Sequence, residues 1–166
     1  MKKSIRTFIY SAILLFSASL SADVLRGRVI GVSDGDTITV LDENNHQFKI
    51  RLMGIDAPEK NQPYGSASKA SLSEQIYLKD VDVKWSKHDR YGRIVGQVTF
   101  DGSDVCLQQI KLGLAWHYKQ YQGEQTEGDR NQYSASEVVA RNGKVGLWND
   151  PQPMEPATYR HRKRDH

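Results

Sequence analysis

The chain has one cysteine, Cys106, in 166 residues, which excludes an intramolecular disulfide. Helical spacing in Val105-Cys-Leu-Gln-Gln-Ile110 puts it near an apolar face, so it reads as a small core residue. Histidines are few and scattered. His46, His88 and His117 have no spacing for a zinc site or a histidine–metal finger, and solvated or packing roles suffice for them. The apolar stretch from Phe8 to Leu20 is too short and too rich in serine for a comfortable membrane span. A basic excess is also missing. Lys and Arg number 23 against 20 Asp and Glu, but Lys2, Lys3 and Arg6 supply the whole surplus. Attraction to a polyanion must therefore come from local arrangement, not net charge. No internal repeat is visible.

Those three cations, the apolar run and the small Ser21 and Ala22 have the pattern of an export signal cleaved at Ala22/Asp23. No cysteine stands at position 23 to carry a lipid anchor. The expected organisation is a signal peptide over 1–22, one domain over 23–150, and a proline-containing basic tail over 151–166. The tail is expected to be disordered, with Arg160-His-Arg-Lys-Arg164 a solvated charge run. The working protein is expected to be secreted or periplasmic, with no membrane attachment after cleavage.

Val24–Val32 reads as a first strand, β-branched, with Gly27 and Gly31 permitting a bend. Ser33-Asp-Gly35 is a turn, Asp36–Leu41 a second strand, and Gln47–Met53 a third. Phe48, Ile50 and Leu52 share one face of the third strand, so alternation sends Lys49 and Arg51 to the other. Ala57-Pro58 and Gln62-Pro63 keep the next segment irregular. A helix over about 66–78, strands around Val81–Trp85 and over Ile94–Phe100, and helices over about 105–112 and 134–141 complete the pattern. Gly143 is expected as the left-handed stop of the last helix, and Leu147-Trp148 is expected to pack back on the core. The result is mainly β with α. Five strands, one helix between the third and fourth and further helices after the fifth are the order of an OB-type barrel with about three helices.

Three short segments concentrate the chemistry: Asp34-Gly-Asp36-Thr37, Arg51-Leu-Met-Gly-Ile-Asp56-Ala-Pro-Glu59 and Asp89-Arg-Tyr91-Gly-Arg93. Carboxylates can gather a hard divalent cation, which takes oxygen ligands. Guanidinium forks match phosphate oxygens in pairs. Together they suit a phosphodiester under attack.

With Gly113-Leu-Ala115 and Gly146-Leu-Trp148 added in the same order, the chain resembles the staphylococcal nuclease family from Val24 to Trp148. The resemblance implies a calcium-dependent endonuclease acting on DNA and RNA and leaving 3′-phosphates. It places Asp36 and Asp56 as calcium ligands, with the backbone carbonyl of Ala57 where some members have threonine. Glu59 matches the candidate general base, and Arg51 and Arg93 match the two phosphate-clamping arginines. Asp34 is a candidate to orient the metal shell through water, or a plain turn residue. Tyr91, Tyr118 and Tyr121 are candidates to hold the substrate, with spacing favouring Tyr121 over Tyr118. Trp116 reads as core. A monomer without a stable protein partner is implied. Two rivals are a catalytically silent nucleic-acid-binding module of the same fold and a structural domain stapled by calcium. The first should lack ligands or arginines, and the second needs no arginine pair.

Overall fold

The computed structural model describes residues 23–164. The leader expected over 1–22 lies outside them. In chain order the strands are β1 (Asp23–Val32), β2 (Thr37–Leu41), β3 (Gln47–Leu52), β4 (Ile55–Asp56), β5 (Asp80–His88), β6 (Ile94–Phe100), β7 (Ser103–Asp104) and β8 (Trp116–His117). The helices are α1 (Gly65–Ile76), α2 (Val105–Lys111), α3 (Glu127–Asn142) and α4 (Pro156–Arg164). None of them is long and apolar enough to cross a membrane.

The main sheet runs β3-β2-β1-β5-β6, and a parallel β3–β6 pairing, with Ile50 opposite Ile94 and Leu52 opposite Gly96, closes it into a barrel. This is the five-stranded OB-type barrel that the element order predicts. Closure depends on β1, whose first half pairs with β5 and second half with β2. Gly27 lies in that strand, where a Cβ would stand 2.3 Å from the Leu41 carbonyl oxygen. The register with β2 then slips between Val29 and Gly31, an irregularity that bends the strand around the barrel.

Val29, Ile38, Val40, Ile50, Leu52, Val83 and Val98 fill the interior, and Leu72 and Ile76 of α1 with Cys106 and Ile110 of α2 close it off. Each such aliphatic side chain contributes about 1.5–3 kcal/mol by leaving water. Burial pushes the Cys106 thiol well above its ordinary range, so it is an inert core group. A second cluster joins Trp116, Ala140, Leu147 and Trp148. Its two indoles meet edge to face at 4.4 Å, and the Arg141 guanidinium lies 3.9 Å from the Trp148 ring centroid and 4.7 Å from that of Trp116.

Three local expectations need correction. Helix α3 starts at Glu127, not near Ser134, because the Thr126 side chain accepts the Asp129 backbone N–H at 3.2 Å and caps an earlier first turn. Gly143 is right-handed at φ −78°, and Lys144 takes the left-handed position at φ 50°. The stretch expected as a disordered tail contains α4. Pro156 opens that helix, where its missing N–H costs nothing. The described residues thus hold four α-helices and two short 3₁₀ helices, Lys119–Glu124 and Gly146–Asn149.

Candidate active site

The site forms where the β1–β2 turn meets the end of β3. Within the turn, the Asp36 N–H donates to Asp34 Oδ1 at 3.1 Å, and the Leu52 N–H donates to the Asp36 carbonyl at 2.8 Å. Gly54, left-handed at φ +76°, then reverses the chain so that β4 pairs with β8 and sets Asp56 opposite Trp116. Both Asp36 and Asp56 are buried. Asp36 Oδ2 accepts the Ala57 N–H at 2.7 Å.

Alternation along β3 turns Arg51 away from Ile50 and Leu52, towards these acids. Its Nη2 lies 3.1 Å from Asp56 Oδ1 and 3.3 Å from Asp36 Oδ2, while Nη1 donates to the Leu52 carbonyl at 2.9 Å. Burial raises the Asp56 pKa, and the charge of Asp36 adds to the rise. A hydrogen bond from Arg160 and the charge of Arg51 oppose it only in part. Asp34 is pushed up to about 6, by burial first and by Asp36 second. These acids crowd negative charge into a poorly solvated place, which favours a cation among them.

Arg93 reaches the same neighbourhood from the β5–β6 turn. Asp89 accepts its backbone N–H at 2.9 Å and its Nε at 2.7 Å, which leaves Nη1 3.5 Å from Thr37 Oγ1. Thr37 Oγ1 in turn donates to Asp36 Oδ1 at 3.1 Å. Burial works to raise the Asp89 pKa, but the Arg93 backbone and side chain and the Tyr91 N–H outweigh it and hold the carboxyl low. Glu59 follows Pro58 on the irregular segment, where its N–H donates to Gln62 Oε1 at 3.1 Å.

Tyr118 and Tyr121 form a ring pair, and Tyr91 lies on the turn between β5 and β6. Tyr118 lies with its ring centroid 5.9 Å from the Arg51 guanidinium carbon, and Tyr121 meets it edge to face at 4.9 Å. Tyr118 is thus the nearer of the two to the acids, although spacing favoured Tyr121. Tyr91 is exposed and carries the Arg93 guanidinium 5.5 Å from its ring centroid. Trp116 is core, as expected. His117 is buried, with Nε2 2.8 Å from Gln125 Oε1.

Arg160 was not foreseen as part of this site. From α4 its Nη1 reaches Asp56 Oδ1 at 3.1 Å and Glu59 Oε1 at 2.9 Å, and its Nη2 reaches Asp56 Oδ2 at 3.0 Å. Sequence reasoning saw only a basic run. Asp89 and Thr37 belong to the acid- and arginine-bearing motifs, but nothing in those motifs marks their contacts to Arg93 and Asp36. Nothing local marks Arg160 for this contact, which spans 104 positions to Asp56.

A family model described as staphylococcal nuclease homologue matches residues 49–150. An uncharacterized endonuclease of Haemophilus influenzae is 36% identical over 162 residues, covering 96% of this chain and 88% of the relative. An uncharacterized endonuclease of Escherichia coli is 39% identical over 159 residues, covering 95% and 99%. The micrococcal nuclease of Shigella flexneri is 35% identical over 166 residues, covering 95% and 92%. The chain belongs to the staphylococcal nuclease family.

As a staphylococcal nuclease homologue it is a hydrolase of nucleic acids, and nucleases of this family are in general metal-dependent. The donor set fits a metal ion. Two buried carboxylates that share one guanidinium nitrogen are close enough together to share a hard cation. Among the described residues no three of His, Cys, Asp and Glu form a ready-made metal cage. Water and main-chain oxygens would complete such a shell, and the Ala57 peptide adjoins the pair through its N–H to Asp36.

Proposed function

We propose that this nuclease is an exported, calcium-dependent endonuclease that cuts DNA and RNA with little sequence specificity and leaves 3′-phosphate ends. The observation that carries the reading is the pair Asp36 and Asp56 held by one nitrogen of Arg51, with Glu59 and Arg93 at its edges. Export is supported by the composition of residues 1–22, and a monomer by the family resemblance. Calcium suits a shell with few carboxylates completed by carbonyl and water oxygens, because it tolerates flexible geometry.

In this reading Asp36, Asp56 and the Ala57 carbonyl hold the ion, which supplies neutralisation of the phosphate's negative charge. Arg51 and Arg93 bind the non-bridging phosphate oxygens and gain strength as charge redistributes in the transition state. Glu59 orients a water for in-line attack on phosphorus and accepts its proton. The P–O5′ bond breaks, so the phosphate stays on the 3′ side. Tyr118, Tyr121 and the exposed Tyr91 offer ring faces to unstacked bases, which favours single-stranded substrate.

Cleavage of single-stranded DNA and RNA with calcium, magnesium or chelator tests the reading, with the product ends determined. Calcium-dependent cutting of both polymers to 3′-phosphate ends is expected. A folded protein that binds DNA yet cuts neither polymer with any divalent ion would overturn it in favour of a silent binding module.

A further inference from the structure

Five hydrogen bonds tie helix α4 and the residues leading into it to the segment that carries Asp56 and Glu59. Arg160 takes both oxygens of Asp56 and one of Glu59, Tyr159 donates its hydroxyl to the Asn61 carbonyl at 3.1 Å, and Gln62 Nε2 donates to the Met154 carbonyl at 2.6 Å. The seam is open. A cleft of about 110 Å³ lies between Glu59, Lys60 and Asn61 on one side and Tyr159, Arg160 and Lys163 on the other. The Arg160 side chain is 39% exposed. Within α4 Pro156 is buried, and residues 157–163 are half-buried or exposed, so a dock made mainly of polar bonds around a cleft can open at modest cost.

The geometry of Asp56 makes that dock consequential. Its Oδ1 accepts from both Arg51 and Arg160, and its Oδ2 accepts from Arg160. An ion bound through Asp56 needs at least one of these oxygens; Arg51 reaches only Oδ1, whereas Arg160 occupies both, so Arg160 is the guanidinium that blocks Oδ2 and adds a second positive charge there. Glu59 has the same conflict, since its Oε1 already accepts a hydrogen bond from Arg160 Nη1 at 2.9 Å and is not free to receive one from water. With Asp36 and Asp56 as metal ligands, as proposed above, we infer that Arg160 and the divalent ion exchange at Asp56. Metal binding then releases helix α4 from the active site and frees Glu59, and loss of the metal lets α4 close over both acids. The tail is a latch that answers to the metal.

Calcium binding by calorimetry and hydrogen exchange of residues 156–164, both on the purified full-length protein, test this without reliance on turnover. Arg160→Gln should bind calcium about tenfold more tightly than the wild type, since no fraction of the molecules is held closed. Arg160→Lys should fall between them. Tyr159→Phe, which weakens the dock without touching an acid, should also tighten binding, by a smaller factor. Saturating calcium should speed amide exchange across α4 in the wild type. Unchanged or weaker binding in Arg160→Gln would overturn the exchange. So would tighter binding with α4 equally protected at saturating calcium, because that result needs only the removal of a charge. Failure of calcium, magnesium and manganese to bind the wild type and every variant would overturn the metal site itself, and the exchange with it.

Discussion

Asp89 grips Arg93 at two points, accepting the backbone N–H on one carboxylate oxygen at 2.9 Å and Nε on the other at 2.7 Å. One acid thus sets both the turn and the direction of the guanidinium, whose Nη1 is left facing Thr37. An arginine held this way approaches a phosphate with little freedom left to lose.

Asp89→Ala should therefore lower kcat by about tenfold to a hundredfold with a smaller change in KM, because the clamp loses aim rather than charge. Arg93→Lys should cost more, since an ammonium cannot present two parallel donors. Steady-state kinetics on a short single-stranded DNA separate the two constants. Equal losses in kcat and in substrate affinity would argue against a transition-state role for Arg93.

The same acid predicts a pH signature in stability. Hydrogen bonds hold the Asp89 carboxyl below its ordinary value in the folded protein, so its contribution is present above the unfolded value near ~4 and disappears as pH falls through the folded one. Asp89→Asn should be less stable than the wild type by about 1 kcal/mol at neutral pH. That gap should close in strongly acidic solution. Urea melts of both proteins at a series of pH values measure it, and a gap independent of pH would point to a packing effect instead.

Glu59→Gln keeps the shape of the side chain and removes its basicity. Turnover should fall by about 10²–10⁴, the usual worth of a positioned general base. Calcium affinity should change far less, because Glu59 lies beside the Asp36 and Asp56 pair rather than within it. Calorimetry run in parallel with cleavage assays checks both halves, and a matching collapse of calcium binding would reassign Glu59 as a ligand.

Cys106 should resist thiol reagents until the protein unfolds, since it is fully buried with its pKa pushed up. Cys106→Ser should cost about 1–3 kcal/mol by burying a hydroxyl in an apolar core. Cys106→Ala should cost less than that. Thermal melts and reagent titration, native against denatured, are sufficient tests.

Local pattern made much of this molecule legible. The alternation of Phe48, Ile50 and Leu52 against Lys49 and Arg51 states which way β3 faces, because strand side chains alternate whatever the strand packs on. The run Ile94–Phe100 is a strand from end to end, as its composition suggests. Helix ends were harder. The Thr126 cap of α3 sits in a polar stretch with no apolar period to announce it, and the left-handed residue beyond that helix is Lys144 rather than Gly143. There the path of the chain outweighs the intrinsic preference of glycine.

The acids and arginines of the site could be named from their motifs, because each short segment carries its own turn chemistry. Their assembly could not. Asp36, Arg51 and Asp56 meet because β2, β3 and β4 converge at one rim of a closed barrel, and Thr37 joins Asp36 to Arg93 across two turns. Arg160 is the extreme case. In sequence it is one cation among several in a basic run, and its pairing with Asp56 and Glu59 arises only when α4 docks beside residues about a hundred positions earlier. An ion pair leaves no periodic trace along a chain, since its strength depends on distance and burial in space, which the fold alone sets.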